Sequence, residues 1–162
     1  MLCSVEEIVI RVGAERFVAL AAGEGPVALL LHGFPDVPRS WAPVVEALAP
    51  RLRCVAPWMR GYAPSTTEGP FDADRLAADV IGFADALSPD APVLLVGHDW
   101  GAAAAYVACM RAPSRFLGCV PISVPHPLAF LRHLGRDAGQ LRRSWYMGFF
   151  QLPGLPERAI RR

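Results

Sequence analysis

The sequence predicts an α/β protein with a mainly parallel sheet and helices on both of its faces. Two observations lead there. The apolar runs Val27–Leu31 and Val93–Val96 are continuous rather than alternating, which suits strands buried on both sides, as in a parallel sheet. Between them lies a segment whose apolar residues Leu76, Val80, Phe83 and Leu87 recur at i, i+4, i+7 and i+11, the spacing of one buried helix face. Strands alternating with helices along the chain put the helices in crossovers on the two faces of one sheet.

Each element has its own signal. Two β-type runs near 5–12 and 15–21, separated by Gly13-Ala14, predict a hairpin. Pro26 introduces the strand Val27–Leu31, which stops at the loop His32-Gly33-Phe34-Pro35-Asp36. Ser40 is placed to cap a helix through Trp41, Val44, Val45 and Leu48, ending at Pro50. Leu52–Ala56 predicts a short strand, followed by a long loop over Pro57–Ser65. Asp72 or Asp74 can cap the helix that carries Leu76 and Phe83. After the strand Val93–Val96 comes a tight glycine-rich turn, a helix through Ala102–Met110, and a weaker strand over Leu117–Val124. Beyond Pro125-His126-Pro127 the pattern turns helical and basic. The division expected from this is a core over 1–127 and a helical segment over 128–162.

Composition narrows the function classes. With 162 residues, 53% hydrophobic and 19% charged, the chain has the length of a single domain and the makeup of a globular one. A net charge of +1 argues against a general polyanion binder, and no nucleic-acid partner is expected. All 16 basic residues are arginine. Seven of them fall in 132–162 against Asp137 and Glu157, a local balance of +5, which reads as a solvated helical surface. Cys3, Cys54, Cys109 and Cys119 form no Cys-x-x-Cys pair, so no metal or cofactor is expected and the thiols read as free in a reducing compartment. The first residues lack a positive region ahead of an apolar run, and no apolar stretch approaches the ~18 residues of a membrane helix. The expectation is a cytoplasmic protein with no membrane partner.

The segment that carries chemistry is Val96-Gly97-His98-Asp99-Trp100-Gly101-Ala102. A buried strand ends, the chain turns sharply and a helix begins. Gly97 and Gly101 stand where a side chain would collide with neighbouring backbone. This is the pattern of a nucleophile elbow, with Asp99 as its central residue instead of the commoner serine. The helix that follows favours the ionised carboxylate. A carboxylate nucleophile displaces a leaving group at an sp³ carbon and becomes an alkyl ester. Cleaving that ester then needs an oxyanion hole, for which the backbone N–H groups of Trp100 and Phe34 are the candidates.

His32-Gly33-Phe34-Pro35-Asp36 with Ser40-Trp41, then Arg60-Gly61-Tyr62, Gly97-His98-Asp99-Trp100-Gly101 and Ser144–Gly154 together resemble the α/β-hydrolase superfamily, and within it the epoxide hydrolases. The resemblance runs from about residue 5 onward. It implies a core with a helical cap beginning near residue 128. It implies Asp99 as the nucleophile that opens an epoxide, Phe34 and Trp100 as oxyanion-hole donors, and Tyr146 as a cap tyrosine that hydrogen-bonds the epoxide oxygen. His32, Gly33, Pro35, Gly97, His98 and Gly101 are then motif residues that shape the backbone. The expected partner is a small molecule, an epoxide or another apolar electrophile. Haloalkane dehalogenases share the aspartate nucleophile and are the alternative, although many of them use a polar residue where Phe34 stands.

In this superfamily the acid and then the histidine follow the nucleophile. Only Asp137 and Glu157 supply carboxylates after the strand near 117–124, and only His126 and His133 follow the elbow helix. The chain is therefore expected to lack the last strands, the acid and the base of the full fold. It reads as an incomplete hydrolase or a non-catalytic truncated remnant, with self-association or a complementing C-terminal segment expected from the open sheet edge.

Overall fold

The computed structural model of the chain describes residues 4–134, 138–150 and 152–160. Cys3, Asp137 and the side chains of His133 and Glu157 lie outside the described residues. The chain divides into two compact units, residues 1–124 and 125–162.

The first unit is a six-stranded sheet. β1 (Glu6–Val12) and β2 (Glu15–Ala22) form the hairpin, with Val12 opposite Glu15 across the Gly13-Ala14 turn. β3 (Val27–Leu31), β4 (Arg53–Pro57), β5 (Val93–His98) and β6 (Phe116–Ile122) complete it in the order β1-β2-β4-β3-β5-β6. The hairpin joins β4 antiparallel, while β4, β3, β5 and β6 run parallel. All of β3 is buried, as its unbroken apolar run requires. Successive strand residues face opposite ways, and the two packed clusters record it. Leu29, Leu31, Val55 and Leu95 pack with Leu76, Val80 and Phe83 of α2 (Ala73–Leu87) and with Ala104, Ala105 and Ala108 of α3 (Trp100–Arg111). Leu30, Cys54 and Ala56 pack on the opposite face with Trp41 and with Val44, Val45 and Leu48 of α1 (Ala42–Leu48).

Local chemistry explains the helix boundaries. Asp72 caps α2, its side chain accepting from Arg75 N–H at 2.7 Å. Ser40 does not cap a helix. Pro38 opens a 3₁₀ turn over Pro38–Trp41 first, and the Ser40 hydroxyl donates to Val37 O at 2.8 Å inside that turn. α3 starts at Trp100, directly after Asp99 and two residues before the expected start at Ala102. Its buried face is glycine and alanine (Gly101, Ala102, Ala104, Ala105 and Ala108), so the helix axis can lie close to the sheet. β6 is an edge strand with Leu117, Val120 and Ile122 exposed.

The second unit consists of the short helices α4 (Pro127–Leu134), α5 (Ala138–Arg143), α6 (Trp145–Phe149) and α7 (Leu155–Ile160). Within it Phe149 packs its ring on Trp145 and on Phe150, with centroids 5.8 and 5.6 Å apart. No described helix is long and apolar enough to cross a membrane.

One ion-pair network fixes the loop after β4. The Arg60 side chain is wholly buried and forms a fork on Asp79 of α2, Nε to Oδ2 at 2.7 Å and Nη2 to Oδ1 at 2.9 Å. Its remaining nitrogen donates to Glu68 O at 2.7 Å and Glu15 Oε1 at 3.2 Å. The guanidinium also sits 5.6 Å from the centre of the Phe17 ring. Removing one member strands a buried charge, which costs about 3–5 kcal/mol. Asp79→Ala is therefore expected to lower stability by about that amount, read from urea denaturation. The Arg60→Met/Asp79→Leu double variant, which leaves no orphaned charge, is expected to lose less.

Candidate active site

The parallel core places two loops side by side. β3 and β5 are neighbours, and the chain leaves β3 toward β4 on one side before reaching β5 on the other. The loops after their carboxyl ends therefore border one crevice, the position where open α/β sheets bind ligands. One loop is His32–Asp36 and the other is the turn at Asp99.

Asp99 has φ 52° and ψ −117°, one of two described non-glycine residues at positive φ. Such a conformation costs on the order of 1–3 kcal/mol and persists only where the surroundings enforce it. The enforcement is steric. A Cβ on Gly101 would run into the carbonyls of Leu31 and His32, and a Cβ on Gly97 into the Gly101 carbonyl and Ala102 N. The first turn of α3 thus sits against the end of β3 with no space between them. The backbone of Asp99 is pinned as well. Its N–H donates to Ile122 O at 3.2 Å, and its carbonyl accepts from Ala102 and Ala103 N–H at 3.0 and 3.1 Å.

The Asp99 side chain then departs from the usual role of an aspartate before a helix. Such a residue caps by accepting from the helix's own N–H groups. Asp99 makes no such bond; its Oδ1 accepts from Phe34 N–H at 2.9 Å. Gly33 makes this approach possible, since a Cβ there would lie 2.5 Å from Asp99 Oδ1 and 2.8 Å from His98 O. Trp100 is the first residue of α3, in the turn whose N–H groups have no partner inside the helix. Phe34 and Trp100 are about half exposed.

His32 is buried and both ring nitrogens are engaged with backbone. Met59 N–H donates to Nε2 at 3.1 Å, and Nδ1 lies 3.0 Å from Gly33 O. Burial pushes its pKa below the ordinary histidine value, against smaller opposing effects of Gly33 and Asp36. It shapes the loop, and neither nitrogen is left to act as a base. Pro35 follows Phe34 in the turn that Asp36 N–H closes on Gly33 O at 3.0 Å. Val37 N–H donates to Asp36 Oδ1 at 3.0 Å. His98 ends β5 opposite Ile122.

Tyr62 was not among the site residues expected from sequence. It stacks edge-on against His32, with centroids 4.6 Å apart, and its hydroxyl lies 3.5 Å from Gly33 O. Burial raises the phenol's pKa, and the charges of Asp99 and Asp36 raise it further. The clues in the sequence are the segment Arg60-Gly61-Tyr62, one of those that carry the family resemblance, and its loop, which follows β4 and so leaves the sheet next to β3. Gly33, Phe34, Pro35, Gly97, His98, Asp99, Trp100 and Gly101 all gather at this crevice. Tyr146 lies in α6 of the second unit and is half exposed. Among the described residues no group of three or more histidine, cysteine, aspartate or glutamate side chains could hold a metal ion.

Residues 26–158 match the family described as the alpha/beta hydrolase fold. The chain belongs to this family. Among curated relatives, epoxide hydrolase 4 of Mus musculus is 38% identical over 148 residues, covering 88% of this chain and 41% of the relative. Among solved structures, the Bacillus megaterium epoxide hydrolase superposes with a TM-score of 0.86 at 28% identity, over 93% of this chain and 54% of that one. The epoxide hydrolase VrEH1 of Vigna radiata superposes at 0.77 with 31% identity, over 93% and 48%. This α/β hydrolase thus spans about half the length of the relatives it matches.

In Gly101→Ala the new methyl meets two carbonyls, whereas at Gly118 nothing lies within 4 Å. Gly101→Ala is expected to destabilise by about 1–3 kcal/mol or more, and Gly118→Ala to stay within about 0.5 kcal/mol of the parent. Thermal melts of the two variants check this.

Proposed function

We propose that this chain carries the nucleophile half of an epoxide hydrolase and that Asp99 opens an epoxide ring. The observation that supports the reading is the bond from Phe34 N–H to Asp99 Oδ1. It holds one carboxylate oxygen and leaves Oδ2 to attack. In the proposed step Oδ2 forms a bond to an epoxide carbon, the ring C–O bond breaks, and the departing alkoxide takes a proton. Tyr146, matching a cap tyrosine of the epoxide hydrolases, is the proton donor in this reading, and its phenolate regains the proton from water.

The oxygen already bound to Phe34 N–H becomes the carbonyl oxygen of the resulting ester. When water adds to that carbonyl, the negative charge develops on this same atom. A donor set in place before the reaction stabilises it without reorganisation. Trp100 N–H is the second donor of this oxyanion hole. Hydrolysis also needs a base, and His32 is committed to Met59 and Gly33. We propose that no other histidine of the chain takes this role, so that ring opening runs ahead of ester cleavage and the ester accumulates. The apolar, half-exposed residue Phe34 and the epoxide hydrolase relatives favour an apolar epoxide as substrate.

Incubation with styrene oxide followed by intact-mass measurement tests the reading. A single added epoxide mass is expected, mapping to Asp99 and absent in Asp99→Ala. Tyr146→Phe is expected to slow its formation by roughly 10²-fold. Adducts spread over other residues, or an adduct that persists in Asp99→Ala, would sink the assignment. Repeated turnover by the chain would contradict accumulation of the ester.

A further inference from the structure

The peptide group joining Gly33 to Phe34 is hydrogen-bonded at both ends. On the amide side, Phe34 N–H donates to Asp99 Oδ1 at 2.9 Å. On the carbonyl side, Gly33 O accepts from Asp36 N–H at 3.0 Å and lies 3.0 Å from His32 Nδ1 and 3.5 Å from Tyr62 Oη.

The direction of the His32 contact follows from the other ring nitrogen. Met59 N–H donates to Nε2, so Nε2 must present a lone pair. In a neutral imidazole the proton then sits on Nδ1, and His32 is a donor to Gly33 O. Burial keeps the ring in that neutral state. Tyr62 stays protonated, because burial and then the nearby Asp99 and Asp36 charges disfavour its phenolate. It too can only donate to Gly33 O.

Donors on a peptide carbonyl draw charge onto its oxygen and strengthen the C–N double-bond character. The N–H of the same peptide group becomes more positive. Hydrogen-bond chains polarise in this way by about 10–30% per bond in condensed phase. Here the N–H at the end of the chain is the one on Asp99.

We infer that His32 and Tyr62 are positioning residues that act through the Gly33–Phe34 peptide group, strengthening and aiming the Phe34 N–H toward Asp99 Oδ1. The consequence for chemistry rests on the functional reading above: a more polar N–H favours the state with most charge on Oδ1, the tetrahedral intermediate of ester cleavage. The relay itself is a property of the resting chain. It also gives the loop's buried histidine a role beyond filling space. The same ring that anchors Met59 sets the donor strength of a backbone group.

The test is nuclear magnetic resonance on the chain labelled with ¹⁵N-histidine and ¹⁵N-phenylalanine. In the unsubstituted chain His32 is expected as the Nδ1–H tautomer, with Nε2 in the unprotonated range. In Tyr62→Phe, which keeps the ring against His32, the Phe34 amide proton is expected to move upfield. The amides of Phe17 and Phe83, both buried in the core, should stay in place. An Nε2–H tautomer for His32 would overturn the relay even if the variant did not fold. So would a Phe34 amide unmoved by Tyr62→Phe. Loss of the Phe34 shift with normal epoxide trapping at Asp99 sinks the relay and leaves the functional reading standing. A clear shift without any trapping upholds the relay and removes the functional reading.

Discussion

Everything at the crevice depends on how closely the first turn of α3 approaches the end of β3. With Gly101 against the Leu31 and His32 carbonyls, the helix has one place to start. The chain must then leave β5 through a residue at positive φ, and that residue is Asp99. The alanine-rich buried face of α3 extends the same close approach along the sheet. The strain at Asp99 is a local cost offset by packing on either side. Val93 and Leu95 are fully buried beneath it, and Ala102, Ala104, Ala105 and Ala108 lie behind it.

A turn of this kind presents a side chain but does not orient it. Orientation comes from the neighbouring loop, where Gly33 permits and Phe34 N–H supplies the contact to Oδ1. That loop is braced in turn by His32 and by Tyr62 at Gly33 O. Met59 and Tyr62 flank Arg60, whose guanidinium is clamped between α2, Glu68 and β2. The buried ion pair and the carboxylate are thus successive parts of one support running from α2, through the loop after β4, to the loop after β3. Burial keeps His32 neutral and Tyr62 protonated, so the groups facing Gly33 O remain donors while Asp99 accepts.

The sequence made some of this legible because steric rules leave marks in residue type. Continuous apolar runs gave β3 and β5, periodic ones gave α2, and paired glycines around Asp99 marked the turn. Contacts to backbone leave no such mark. Nothing in the sequence says that His32 Nε2 meets Met59 N–H, or that three groups converge on Gly33 O. Arg60 stands in one of the motifs, but nothing in the sequence marks it as buried until Asp79 and Glu15, 19 and 45 positions away, are folded around it. Ser40 looked like a helix cap because its residue type suits one; Pro38 had already started a turn and taken the hydroxyl elsewhere. Asp99 is the converse case, a residue type suited to capping whose side chain is drawn off its helix by the Phe34 N–H.

The most direct test of this account is a crystal structure of the chain after treatment with an epoxide. An ester through Asp99 Oδ2 is expected, with Oδ1 still within hydrogen-bond distance of Phe34 N and φ of Asp99 still positive. An Asp99 side chain turned back to cap α3, or an ester on another residue with Asp99 unmodified, would contradict it.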